Sequence, residues 1–152
     1  MSVAKSRING RNKRTGNRIL LVEDHLALAS LRSVFLAAQG YEVICAADGQ
    51  QAQHLIESEP FNVVVTDSTL PIRSGWEVAQ FAKRKGLPVI LSSGWPVRMS
   101  PGQVAACGVD FLCPKPCSLD QLLSVIEKAL KPRRKRQRRL NPVPKAQYQG
   151  PG

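Results

Sequence analysis

Between residues 18 and 130, short apolar runs alternate five times with segments whose apolar residues recur at helical spacing. The runs are RILLVED, YEVICAA, NVVVTD, PVILSS and VDFLC, and three of them are almost continuously apolar. Such runs are typical of parallel strands that helices cover on both faces of a sheet. Because crossovers between parallel strands are right-handed, the sequence predicts an α/β fold with a doubly wound, open sheet and five βα units.

Residues at the expected helix ends support this alternation. Gly40 stands where the first helix should end in a left-handed residue. Ser100-Pro101 predicts an N-cap followed by proline at the first helical position, and Ser118 with Gln121 forms a capping box for the last helix. In the first helix, the apolar residues at helical spacing are Leu28, Leu31, Val34, Phe35 and Ala38.

The net charge of +11 is unevenly distributed along the 152 residues. Residues 19–130 contain all eleven acidic residues and eight basic ones, whereas the other fourteen basic residues lie in residues 1–18 and 131–152. We therefore expect an acidic domain over 18–130 between two basic disordered arms, 1–17 and 131–152. The arms have three interpretations: solvated tails, which we favour, contacts to nucleic-acid phosphates, or docking on an acidic protein or anionic membrane.

Composition argues against several classes of protein. No apolar run is long enough to span a membrane, and residues 1–17 lack the apolar region of a signal peptide. We therefore expect a soluble protein of the cytoplasm. The four cysteines have no CxxC spacing, and only two histidines could assist them, so we expect reduced, partly buried thiols rather than a zinc site or a disulfide framework.

Polar residues follow four of the predicted strands. Glu23 and Asp24 follow the first, Asp67 ends the third, Ser93 ends the fourth, and Lys115 follows the fifth. Because ligands of doubly wound sheets bind at the carboxyl ends of the strands, we expect these side chains to converge. Three carboxylates repel one another unless a cation neutralises them, and Mg²⁺ favours such oxygen ligands. Asp67 could then act as a nucleophile toward a phosphoryl group.

Residues 18–130 resemble the receiver domain of two-component response regulators. LLVED is similar to the acidic pair of that family, VVVTDSTLPIRSG to its phosphoacceptor loop, VILSSG to its hydroxyl strand and PKP to its Lys-Pro corner. The resemblance implies a flavodoxin-like strand order of 2-1-3-4-5. It also implies a switch that catalyses only its own phosphorylation and dephosphorylation, which is not an enzyme acting on a free substrate.

The resemblance implies a role for each matching residue. Asp67 would accept phosphate from a sensor histidine kinase or a histidine phosphotransfer protein, and Ser93 and Lys115 would bind the phosphoryl oxygens. Mg²⁺ would be held by Asp67, by Asp24 directly, by Glu23 through water and by the backbone carbonyl of Thr69. The Lys115–Pro116 bond is expected to be cis, and Pro71 and Gly75 match the turn proline and final glycine of the phosphoacceptor loop.

The sequence departs from the family at three positions. Leu112 stands where an aromatic switch residue is usual, so either the aromatic is absent, which we favour, or a shifted fifth strand gives Phe111 that role. Cys117 replaces a common aromatic; small-residue packing explains it, and a redox input at CPKPC is the alternative. Trp95 either shields the phosphorylated site from water or is an exposed loop residue.

Two functions follow for the whole chain. The first is a phosphoacceptor that signals by binding a downstream protein. The second is a nucleic-acid-associated regulator whose basic arms are gated by phosphorylation. A small Mg²⁺-dependent phosphatase is set aside, because Thr69 stands where its second acid would be and the chain has no cap domain.

Overall fold

The computed structural model describes residues 16–94 and 98–132. Predictions about Trp95 and about nearly all of the two basic arms therefore lie outside the described residues.

Five parallel strands form the sheet. They are β1 (Arg18–Val22), β2 (Glu42–Ala46), β3 (Val63–Asp67), β4 (Val89–Ser93) and β5 (Phe111–Pro114). Their order is β2-β1-β3-β4-β5, as predicted. Every residue of β3 and β4 is buried, which explains the apolar runs 63–65 and 89–91 with which the two strands begin.

Each strand is followed by a helix. The helices are α1 (Leu26–Ala38), α2 (Gly49–Ser58), α3 (Gly75–Arg84), α4 (Pro101–Ala106) and α5 (Leu119–Leu130). The capping box predicted at Ser118 and Gln121 is present, and the Ser100 cap with proline at the start of α4 is confirmed. The (βα)₅ alternation and its approximate boundaries are thus confirmed.

Apolar residues on the two faces of the sheet form two cores. Leu20, Val64 and Leu91 pack on one face with residues of α2, α3 and α4. Leu21 and Ile90 pack on the other face with residues of α1 and α5. The helices thus cover both faces and leave the carboxyl edge of the sheet to its loops.

Helix α1 buries a different face from the one that its large apolar residues mark. It buries Ala29, Arg32 and Leu36, whereas Leu31 and Val34 are exposed. Arg32 lies against the sheet with its Nη1 atom 3.7 Å from Oε1 of Glu23. Leu36 and Phe35 still pack against the core, so the predicted apolar face is buried only in part.

Within the described residues, no helix has the length and apolar character needed to cross a bilayer.

Candidate functional site at the carboxyl edge of the sheet

Three carboxylates converge where β1 and β3 end. One oxygen from each of Glu23, Asp24 and Asp67 lies within 4.8 Å of the others. Glu23 and Asp67 are buried, and Asp24 is exposed. Parallel pairing of β1 with β3 sets this geometry, because Val22 is in register with Thr66 and both strands then end side by side.

Asp67 is held from two sides at one oxygen. It is 6% exposed. Among the described residues, the backbone N–H of Ser68 donates to its Oδ1 at 3.0 Å, and Nζ of Lys115 lies 2.7 Å from the same atom. The ammonium offsets part of the negative charge gathered here, and a charge-assisted contact of this length is a strong one.

Glu23 has one oxygen satisfied and one short of partners. Its Oε2 accepts a hydrogen bond from the backbone N–H of His25 at 3.1 Å. Its Oε1 is buried and has no hydrogen-bond partner among the described residues, although Arg32 approaches it. An orphaned carboxylate oxygen beside two further carboxylates is a donor set that fits Mg²⁺.

The loop after β3 folds back tightly onto Asp67. The N–H of Gly75 donates to the carbonyl of Ser68 at 2.9 Å. A Cβ atom at position 75 would lie 1.9 Å from the carbonyl oxygen of Asp67, so only glycine fits. Pro71 and Thr69 lie in the exposed part of this loop. Thr69 is at the second position after Asp67. Ile72 has a φ of 70°, a conformation that β-branched residues rarely adopt.

Lys115 and Ser93 also reach this edge. The backbone N–H of Lys115 donates to the carbonyl of Ser93 at 2.9 Å, which joins the loop after β5 to the end of β4. The Lys115–Pro116 bond is cis, as expected. The predicted roles of Ser93, Lys115 and the three acids in phosphorylation stay predictions.

Two residues at this site were missed by sequence reasoning. Ser92, not Ser93, is the register partner of Asp67 on β4, and its Oγ is buried without a hydrogen-bond partner among the described residues. Arg32 pairs with Glu23 from a helix. The position of Ser92 directly before Ser93, a predicted site residue, could have indicated the first. Nothing in the apolar spacing of α1 signalled the second.

The packing of β5 shows whether Phe111 occupies the position expected for the aromatic switch residue. Leu112 packs with the core that contains Leu91 and Val104, whereas Phe111 packs with the core on the opposite face of the sheet. Phe111 therefore does not replace Leu112, and the aromatic is absent from the expected position.

The prediction of reduced thiols is wrong for two of the four cysteines. Cys113 and Cys117 are joined by a disulfide, whereas Cys45 and Cys107 are free. The cause is local: the Lys-Pro corner turns the chain so that the end of β5 and the start of α5 face each other, with the two Cα atoms 6.2 Å apart. Sequence spacing alone did not indicate this approach.

Comparison with known proteins agrees with the resemblance. The family described as the response regulator receiver domain matches residues 19–127. The transcriptional regulatory protein TctD of Salmonella typhimurium is 35% identical over 107 residues, which are 69% of this chain and 48% of that protein. The chain thus spans about half the length of the curated relatives it matches.

Solved structures share the fold. A CheY-like response regulator receiver domain protein from Methanospirillum hungatei JF-1 is 30% identical with a TM-score of 0.69, covering 75% of this chain and 93% of that one. The receiver domain of sensor histidine kinase PA1611 from Pseudomonas aeruginosa PAO1, solved with magnesium in its active-site cleft, has a TM-score of 0.67 at 22% identity and covers 76% and 98%. The latter shows the fold alone. With its sequence matched from the first strand to the last helix, the chain belongs to the response regulator receiver domain family of two-component systems.

Proposed function

We propose that this chain is a phosphoacceptor of a two-component system or phosphorelay, which takes a phosphoryl group from a phosphohistidine onto Asp67 and signals by binding another protein. The observation that carries the proposal is the surroundings of Asp67: a buried carboxylate grouped with two others and contacted by an ammonium. A structural aspartate that only caps a turn needs neither the lysine nor the acidic pair.

The transfer uses the chain's own residues as follows. A carboxylate oxygen of Asp67 attacks phosphorus, the P–N bond of the phosphohistidine breaks, and the leaving imidazole nitrogen recovers a proton. Because both donors to Asp67 among the described residues reach Oδ1, we assign the attack to Oδ2. Lys115 then offsets charge on the transferred oxygens, and the hydroxyl of Ser93 donates to one of them.

Mg²⁺, when bound, supplies positive charge that offsets the incoming phosphoryl oxygens. Asp24, Asp67 and the carbonyl of Thr69 would hold it directly, and Glu23 through water. The arrangement supports a switch that acts on itself, so the chain is not proposed as an enzyme. We place it in the cytoplasm with its phosphodonor, a sensor histidine kinase or a histidine phosphotransfer protein.

The test is phosphorylation of the full chain by a small acyl phosphate with Mg²⁺, followed by intact mass measurement. We expect one phosphoryl group on the parent, loss of that product in Asp67→Asn and with chelator, and retention in Asp120→Asn, which removes an exposed carboxylate of α5. Incorporation that persists in Asp67→Asn, or none in the parent, would contradict the proposal.

A second candidate is a nucleic-acid-associated regulator. The observation that favours it is the place where both basic segments join the domain: Asn17 and Lys131 line the same pocket at the edge of the sheet opposite Asp67. Fourteen basic residues lie in residues 1–18 and 131–152. A duplex-binding measurement with and without a phosphoryl mimic separates the two candidates.

A further inference from the structure

The disulfide encloses the lysine that contacts Asp67. Cys113 lies in β5 and is 4% exposed. Cys117 directly precedes Ser118, the N-cap of α5. Only three residues separate the cysteines, and Lys115 is the middle one. The bridge therefore fastens the segment that carries the lysine at both of its ends.

Lys115 is joined to the site through its backbone as well as its side chain. Its N–H donates to the carbonyl of Ser93 at 2.9 Å, and its Nζ lies 2.7 Å from Oδ1 of Asp67. Pro114 and Pro116 carry no N–H. The N–H of Lys115 is therefore the only main-chain donor in residues 114–116. A change in the freedom of the segment thus acts directly on the position of the ammonium.

The disulfide lies beside a surface pocket, and only its Cys117 end is partly exposed. A surface pocket of about 470 Å³ is lined by Cys113, Lys115 and Pro116, together with Ser124 and Val125 of α5. Cys117 is half-buried. Cys113, by contrast, belongs to the core formed with α1 and α5, so Cys117 is the cysteine at which exchange with a small molecule begins.

We propose that Cys113 and Cys117 are a reversible thiol–disulfide modification site that fixes the backbone of Lys115 when oxidised. In a compartment where thiols are kept reduced, a disulfide is usually transient or redox-sensing rather than a permanent staple. The chemical class of the co-reactant is a small-molecule disulfide and its thiol.

The exchange proceeds in two balanced steps. The thiolate of Cys117 attacks one sulfur of the small disulfide, which forms a mixed disulfide and releases one thiolate. The thiolate of Cys113 then attacks the Cys117 sulfur and releases the second. The two cysteines together lose two electrons and two protons, and the small disulfide gains them as two thiols.

The influence of this site on signalling rests on the proposed function. In the disulfide state Lys115 is held for contact with Asp67 and its phosphoryl group. In the dithiol state the loop loses its covalent constraint and keeps the non-covalent contacts of Lys115 and the packing of Cys113. Reduction is therefore expected to weaken the binding of a phosphoryl mimic.

The first experiment tests the modification itself. The Cys45→Ser/Cys107→Ser variant of the full chain, which keeps only the paired cysteines, is equilibrated with a series of oxidised-to-reduced glutathione ratios. Its free thiols are then alkylated, and its intact mass is measured. We expect a reversible loss of both alkylation sites as the ratio rises. Two alkylated thiols at the oxidising end, or a bridge that persists at the reducing end, would overturn the proposal.

The second experiment tests the effect on Lys115 without any phosphorylation. Because the neighbouring prolines have no amide hydrogen, hydrogen exchange of a peptide covering 114–117 reports Lys115 and Cys117 alone. We expect exchange to be about tenfold faster in the reduced protein, as for a loop released to open locally. Cys117→Ser should exchange at the fast rate in both buffers. Equal rates in the two states of the parent would overturn the fixing of Lys115.

The third experiment measures the affinity for beryllofluoride, a mimic of the phosphoryl group on Asp67, in the presence of Mg²⁺. We expect affinity about threefold weaker in the reduced parent, because positioning of the ammonium is relaxed, and no redox effect in Cys117→Ser. Equal affinity in both states would overturn the link to signalling. Failure to bind in either state would contradict the proposed function, whereas the mass and exchange measurements would still decide the redox site.

Discussion

At the scale of single residues, the ion pair of Arg32 and Glu23 is the feature with the clearest energetic consequence. Both side chains are almost fully buried. Removing one member of a buried pair leaves the other charge uncompensated. We expect Arg32→Met to lower the free energy of unfolding by about 3 kcal/mol, measured by urea denaturation without metal.

Mg²⁺ should distinguish this effect from a general packing defect. Mg²⁺ can offset the negative charge of Glu23 when Arg32 is absent. It should therefore stabilise Arg32→Met more than the parent by mass action. Lys128→Met removes an exposed positive charge of α5 and should change little in either condition. Equal stabilisation of parent and Arg32→Met by Mg²⁺ would refute a link between Arg32 and the metal site.

The sequence predicted the placement of single residues where the topology of the sheet determines it. Glu23, Asp24, Asp67 and Lys115 were predicted to converge because parallel strands end at the same edge of a sheet, and the structure brings them together. The disulfide was not predicted, because whether two cysteines meet depends on the direction of the turn between them. That direction is a property of three-dimensional packing rather than of spacing.

At the scale of elements, the loop between β3 and α3 contains a residue in an unfavourable backbone conformation. Ile72 has a φ of 70° and is 69% exposed, so its side chain recovers little energy from burial. Asparagine tolerates this region better than a β-branched residue. We expect Ile72→Asn to raise the free energy of unfolding by about 1 kcal/mol. Ile72→Ala, which also disfavours this region, should gain less, and equal gains would disprove the conformational cause.

The same loop depends on a glycine for a different reason. At Gly75 an added Cβ would meet the carbonyl of Asp67, whereas at Gly86, with φ of 77°, it would meet nothing within 4 Å. We expect Gly75→Ala to cost about 3 kcal/mol or more, since backbone must move. Gly86→Ala should cost about 1 kcal/mol from its φ alone. If Gly75→Ala and Gly86→Ala lower the midpoint of urea denaturation equally, with the slope of the free energy against urea unchanged, the steric explanation is contradicted.

Whole elements were predicted more reliably than their orientation. Strand runs, helix caps and the order of the sheet followed from local sequence because each depends on neighbours in the chain. The buried face of α1 did not follow, because Arg32 lies on it beside Glu23 while Leu31 and Val34 are exposed. Likewise, the absence of an aromatic switch residue in β5 was settled only by the core in which Phe111 lies.

At the scale of the whole molecule, Asn17 and Lys131, at which the basic segments join the described domain, line a pocket at the end of the strands opposite Asp67. We therefore expect duplex binding to be weak, to fall steeply with salt as phosphate contacts do, and to be insensitive to beryllofluoride. Fluorescence anisotropy of a labelled duplex across a salt series measures this, with Asp67→Asn as the control for the mimic.

A full-chain variant with the basic residues of 133–139 replaced by glutamine should lose most of the binding. The replaced residues are Arg133, Arg134, Lys135, Arg136, Arg138 and Arg139. Binding that changes with beryllofluoride in the parent, but not in Asp67→Asn, would instead favour the regulator whose arms are gated by phosphorylation.

The shared pocket of Asn17 and Lys131 has a consequence for protein engineering. The chain enters and leaves the described domain on the same side, so the two points can be joined by a linker or both attached to a host protein. Such a graft would leave the carboxyl edge and its acidic cluster facing away from the host. The domain is thereby suited to circular permutation and to insertion as a module.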